Sequence, residues 1–179
     1  LTFTMKTFKI FIVEDDPWYM DILEYHLLLN PEYEVEKYET GKDCLNNLYK
    51  RPSAVTLDYS LPDMKGKEVL KKIVELSPET SVIIISGQED INTAVELLKE
   101  GAYDYIVKDE DTKDRLWNSL RNLKENHKLK QENVELKEKI GKKYEFSKIM
   151  VGDSPAIKKI FPLIERALDN NITVSITGD

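Results

Sequence analysis

Cysteine is almost missing from this chain of 179 residues: Cys44 stands alone. No internal disulfide can form. His26 and His127 are the only histidines, far along the chain from it, so a cysteine-histidine metal cluster is excluded as well. Cys44 reads as a packing residue. Long apolar runs are also missing, with nothing near the roughly 20 residues that cross a bilayer. The first residues lack the basic and apolar parts of a secretion signal, so a cytoplasmic protein without membrane contact is expected. Basic charge is scarce at the front: residues 1–112 carry 12 basic and 23 acidic side chains. Such a piece repels nucleic-acid phosphates, and any contact with DNA must come from elsewhere.

The rest of the composition is that of a folded protein, with 41% hydrophobic and 33% charged residues and a net charge of -7. The length suits one full domain of about 100 to 150 residues plus a tail or a domain fragment. In residues 1–112, short β-branched and aromatic runs alternate with amphipathic stretches, the pattern of βα units around a parallel sheet. Strands are expected at Phe8–Val13, Tyr33–Tyr38, Ala54–Leu57, Ser81–Ile85 and Tyr103–Val107. Helices are expected at Trp18–Leu28, Gly41–Tyr49, Gly66–Leu76 and Ile91–Lys99. The third and fourth strands are nearly all apolar, as when helices cover both faces. Pro31, Pro52, Pro62 and Pro78 fall between elements. The expected fold is a doubly wound α/β domain of five βα units.

From Thr112 to about Lys143 there is no proline and one glycine, Gly141, while charges of both signs alternate with sparse leucines. This predicts one long helix. Leu116, Leu120 and Leu123 form a stripe suited to the sheet. Leu129, Leu136 and Ile140 form a second, with Asn126 and Asn133 at the intervening core positions, where buried asparagine fixes coiled-coil register and partner number. The second stripe reads as a short dimer seam or as a solvated linker. Residues 113–145 are assigned to this helical linker. Residues 146–179 start afresh: an apolar run Ile149–Val151, a helix start at Ser154-Pro155, and a buried-strand pattern over Ile172–Ile176 that leads to Thr177-Gly178-Asp179.

In an open parallel sheet, ligands bind beyond the carboxyl ends of the strands. Glu14, Asp15 and Asp16 follow the first strand, Asp58 the third, Ser86 the fourth and Lys108 the fifth. Two like charges about 4 Å apart cost roughly 4 kcal/mol at an effective dielectric of 20, so the gathered carboxylates call for a cation. Oxygen ligands with room for water favour Mg2+. With such a metal, Asp58 can attack a phosphoryl group as a carboxylate nucleophile while Lys108 and Ser86 bind its oxygens.

The segments Ile12-Val13-Glu14-Asp15-Asp16-Pro17, Leu57-Asp58-Tyr59-Ser60-Leu61-Pro62-Asp63-Met64-Lys65-Gly66, Ile84-Ile85-Ser86-Gly87 and Gly101-Ala102-Tyr103-Asp104-Tyr105-Ile106-Val107-Lys108 resemble the response-regulator receivers of two-component signalling. The resemblance implies a flavodoxin-like strand order 2-1-3-4-5 and Asp58 as phosphoacceptor. It also implies Asp15 as a direct Mg2+ ligand, Glu14 through water, and the Tyr59 carbonyl as a further ligand. Ser86 and Tyr105 match the family's switch positions, and a sensor histidine kinase is the implied phosphodonor. The implied output surface is the fourth helix, fifth strand and start of the fifth helix, where a homodimer would form. Asp16 has no implied role beyond capping the first helix. The family usually places proline after the lysine; here Asp109 follows Lys108, leaving open how firmly the lysine is aimed.

Val151-Gly152-Asp153-Ser154-Pro155-Ala156 and Val174-Ser175-Ile176-Thr177-Gly178-Asp179 resemble the opening of the AAA+ ATPase domain of sigma-54-dependent activators, with Gly178 as the first glycine of Walker A. The chain ends before the Walker A lysine, so it is expected not to hydrolyse ATP. Contacts with sigma-54 RNA polymerase and DNA would belong to parts beyond it. Two competitors stand beside this reading. A metal-dependent phosphohydrolase is disfavoured because Ser60, not a carboxylate, lies two residues after Asp58. A degenerate receiver serving only as an interaction module is disfavoured by the intact set Asp15, Asp58, Ser86 and Lys108.

Overall fold

The protein is described by a computed structural model covering residues 7–87, 90–143, 154, 155 and 158–160. The elements run β1 (Phe8–Val13), α1 (Pro17–Leu28), β2 (Tyr33–Tyr38), α2 (Gly41–Asn46), β3 (Ala54–Asp58), α3 (Gly66–Leu76), β4 (Ser81–Ser86), α4 (Ile91–Lys99), β5 (Asp104–Val107) and α5 (Thr112–Lys143). All four strand pairings are parallel, and the order is β2-β1-β3-β4-β5, as expected. The winding reverses between β1 and β3, which opens a crevice at their carboxyl ends.

Alternation along the strands builds two cores, because successive side chains point to opposite faces. Ile10, Ile12, Ala54, Ile83, Ile85 and Ile106 meet Met20, Leu23 and Leu27 of α1 and Leu116, Leu120 and Leu123 of α5. Phe11, Val13, Val55, Leu57, Val82 and Ile84 meet Val69, Leu70 and Ile73 of α3 and Leu97 of α4. Cys44 is buried in this second core, and burial pushes its thiol up to about 12. The first leucine stripe of α5 thus lies on the sheet. A second compact unit begins at Lys128. Within it α5 continues as helix to Lys143, with Leu129 and Leu136 61% and 57% exposed.

The second helix is shorter than the pattern predicts. It stops at Asn46, and a separate 3-10 turn spans Leu48–Lys50. Asn47 breaks the run: its side-chain amide donates to the Asp43 carbonyl at 2.9 Å, a local bond that competes with helix continuation. Arg51 then adopts φ +52° just before Pro52, whose ring disfavours helical backbone in the preceding residue. Strands three and four each run one residue further than expected, so Asp58 and Ser86 are the last residues of β3 and β4. β5 starts one residue later, at Asp104.

The loop from β3 to α3 is fixed at two points. The Asp63 carboxylate accepts the Gly41 and Lys42 amides at 3.0 and 2.9 Å, holding the loop to the start of α2. Gly66 donates its amide to the Tyr59 carbonyl at 2.8 Å. A Cβ at Gly66 would come within 2.7 Å of the Asp58 carbonyl oxygen and 2.8 Å of Tyr59 Cα, so only glycine permits this approach.

Candidate functional site

The site lies at the carboxyl edge of the central strands, where ladder bonds end and side chains converge. Glu14 follows β1, with its amide tied to the Tyr38 carbonyl at 3.1 Å, and is buried. Asp58 closes β3 and is also buried. Asp15 is exposed at the rim. Each of the three offers a carboxylate oxygen within 4.8 Å of the others. Lys108, one residue past β5, donates to Glu14 Oε1 and Oε2 at 3.0 and 2.8 Å and to Asp58 Oδ2 at 2.7 Å. The remaining Asp58 oxygen, Oδ1, accepts the Ser60 amide at 3.0 Å. Asp16 caps α1, its Oδ1 accepting the Trp18 and Tyr19 amides at 3.0 and 3.4 Å.

Three carboxylates facing one ammonium leave an excess of negative charge. Burial pushes the Glu14 carboxyl up to about 7; Lys108 opposes that rise and the Asp58 charge adds to it. Burial disfavours the Lys108 ammonium, yet its bonds to Asp58 and Glu14 outweigh this and raise its pKa above the ordinary lysine value. A cluster of hard oxygen donors with unbalanced negative charge is chemically suited to a divalent cation of the Mg2+ kind.

The other expected residues divide. Ser86 is buried at the end of β4, opposite Val107 in the ladder, and its carbonyl accepts the Lys108 amide at 2.8 Å. Tyr105 pairs with Ile84 in register and packs half-buried against the core shared with α3 and α4. The Tyr59 carbonyl accepts the Gly66 amide at 2.8 Å, which closes the loop; a carbonyl oxygen carries two lone pairs, so this bond is compatible with its serving a metal as well. Asp109 does not loosen the turn. Its amide, which proline would lack, donates to Thr112 Oγ1 at 2.8 Å, and Thr112 Oγ1 lies 3.0 Å from the Val107 carbonyl. Gly178 and nearly all of residues 146–179 lie outside the described residues.

Sequence reasoning missed Ser60 as a positioning amide, Tyr19 beside Lys108, and Thr112 under the turn. Asp58-Tyr59-Ser60 does carry a signal, since aspartate readily accepts the amide two residues on; Tyr19 meets the site only through the packing of α1.

The raised Glu14 carboxyl has a consequence for stability. Between pH 4.5 and about 7 the folded chain keeps this proton while the unfolded chain releases it, so the contribution is present at low pH and lost as pH rises through about 7. In metal-free protein, the melting temperature of Glu14→Gln relative to the unsubstituted chain should therefore rise from pH 5 to pH 8. A difference independent of pH would contradict the burial of an ionisable group there.

The comparisons with known proteins fit this geometry. The response regulator receiver domain family matches residues 10–121. The chain is 28% identical over 158 residues to the regulatory protein LuxO of Vibrio cholerae, covering 87% of this chain and 33% of that protein. It is 26% identical over 172 residues to the C4-dicarboxylate transport transcriptional regulatory protein DctD of Rhizobium meliloti, covering 96% of this chain and 37% of that protein. The chain thus spans about a third of the length of these curated relatives. Among solved structures, the signal receiver domain of a protein described as a LuxO repressor, from Vibrio parahaemolyticus, superposes with a TM-score of 0.64 at 31% identity, covering 69% of this chain and 94% of that one. With the order 2-1-3-4-5 and the acidic edge already in place, the chain belongs to the response regulator receiver domain family.

Proposed function

We propose that this receiver accepts a phosphoryl group on Asp58 from a sensor histidine kinase, with Mg2+ held by Asp15, Asp58, the Tyr59 carbonyl and, through water, Glu14. The observation that carries this reading is the buried Asp58 carboxylate, fixed by the Ser60 amide on one oxygen and matched by Lys108 on the other. When bound, Mg2+ offsets negative charge between the carboxylates and the incoming phosphoryl oxygens. An Asp58 oxygen forms the new bond to phosphorus; the bond from phosphorus to the donor atom breaks, and its electron pair leaves with the donor. Lys108 exchanges its carboxylate partners for a phosphoryl oxygen, and the Ser86 hydroxyl binds another. The group adds a charge of about -1.5 to -2 and three acceptor oxygens. Ser86, which ends β4, and Tyr105, within β5, lie on the strands flanking α4 and then pass the change to α4, β5 and the start of α5.

The output we assign is a sigma-54-dependent AAA+ activator, of which residues 146–179 would be the opening segment, with Gly178 as the first glycine of its Walker A loop. No helix among the described residues is long and apolar enough to cross a membrane, and we place the protein in the cytoplasm. Beyond Lys128, a second copy of the chain would cover the exposed leucines. With Asn126 and Asn133 at one core position and Leu129 and Leu136 at the other, Glu125 and Glu132 fall on the flanking positions that face Lys130 and Lys137 of the partner subunit in a parallel pair. Both cross-pairs are of opposite sign.

Two experiments test these readings. Acetyl phosphate with Mg2+ should label the chain, and Asp58→Asn should abolish the label; persistent labelling would sink the assignment. In sedimentation, the doubly substituted Leu129→Asp, Leu136→Asp chain should be monomeric where the unsubstituted one is dimeric. Equal masses would remove the seam.

A further inference from the structure

We propose that Tyr19 is a positioning residue for Lys108, whose ring face holds the ammonium over the carboxylate edge; this rests on the phosphoacceptor reading above. The Lys108 Nζ lies 4.5 Å from the centroid of the Tyr19 ring, inside the range of about 6 Å over which a cation is attracted to an aromatic face. The ammonium is thus bounded by the two Glu14 oxygens, by one Asp58 oxygen and by the ring. A lysine side chain has a flexible four-carbon stem, so its head is aimed only by what surrounds it.

Both partners of the contact are themselves fixed. Tyr19 is half-buried, packs against the core between α1 and the sheet, and donates its amide to the Asp16 cap. The backbone behind Lys108 is tied down by a side-chain clasp. The Asp109 amide donates to Thr112 Oγ1, the Asp109 carboxylate accepts the Asp111 amide at 2.9 Å, and Arg115 donates to the other carboxylate oxygen at 2.7 Å. Tyr19 and Thr112 also line one cavity of about 240 Å3 between α1 and the start of α5. The lysine is therefore held at its root by the Asp109–Thr112 clasp and at its head by Tyr19.

The ring matters most when the bonds to carboxylate are exchanged for bonds to phosphoryl oxygen. Glu14 and Asp58 oxygens then compete for the ammonium, whereas the ring, which offers no lone pair in the plane of the exchange, keeps the head near both. It restricts the search without trapping the lysine on one anion.

The test compares Tyr19→Phe, which keeps the ring face, with Tyr19→Leu, which removes it, in the whole chain. In Mg2+-free protein, the Lys108 side-chain protons nearest the ammonium should be shifted upfield by the ring current in the unsubstituted chain and in Tyr19→Phe, and should move toward ordinary lysine positions in Tyr19→Leu. With Mg2+ and acetyl phosphate, Tyr19→Leu should be phosphorylated about three- to tenfold more slowly and Tyr19→Phe at nearly the unsubstituted rate. Absence of the upfield shift in the unsubstituted chain, or a Tyr19→Phe chain as slow as Tyr19→Leu, would overturn the proposal. Failure of Asp58 to label in every variant, with the ring-current shifts intact, would instead count against the phosphoacceptor reading.

Discussion

One ammonium faces three carboxylates at the edge of the sheet, and the rest of the site is arranged around that imbalance. Lys108 reaches both Glu14 and Asp58, each buried and within hydrogen-bond distance of it. A buried ion cluster is tolerable only when its charges are paired and its lone pairs are used. Here the pairing is incomplete by design of the sequence. Asp15 remains at the rim with its charge unspent, and burial has already driven Glu14 toward a proton. A divalent cation and a phosphoryl group are the kind of pair that such an edge accommodates, because the first supplies the missing positive charge and the second gives Lys108 a new anion.

The backbone makes that edge possible. Parallel pairing forces every strand to deliver its last residue to the same side, so Glu14, Asp58, Ser86 and Lys108 meet although 94 positions separate the first from the last. Loops then set the finer placement. Gly66 approaches the Asp58 and Tyr59 backbone more closely than any side chain would allow, Asp63 anchors the loop to α2, and the Ser60 amide turns the Asp58 carboxylate. On the other side of the site, Asp109 supplies an amide to Thr112, a bond that a proline in its place could not make.

Most of the fold was legible because alternation and helical spacing leave direct marks on the sequence. The five strands and the leucine stripe of α5 on the sheet follow from apolar residues spaced at two, three and four positions, whereas the strand order was implied by the family resemblance. The second helix was overextended because Leu45 and Leu48 keep a helical spacing, while the breaks come from Asn47 and from Arg51 ahead of Pro52, local bonding and sterics that periodicity does not register. The ionic residues of the site were legible because the strand ends announce them. The bond from the Gly66 amide to the Tyr59 carbonyl was not legible, since it closes across the loop. Tyr19 was missed for a related reason: its meeting with Lys108 links positions 89 residues apart through the packing of α1.

The same geometry makes the central claim specific to one atom group. If the edge has been built to receive a phosphoryl group, the acyl phosphate must form on the carboxylate at the end of β3. Reduction of the phosphorylated chain with borohydride converts an aspartyl phosphate to homoserine, and peptide mass spectrometry then locates it. The account predicts homoserine at position 58 alone. Homoserine at position 14 or 15, or none after full treatment with Mg2+ and phosphodonor, would contradict it.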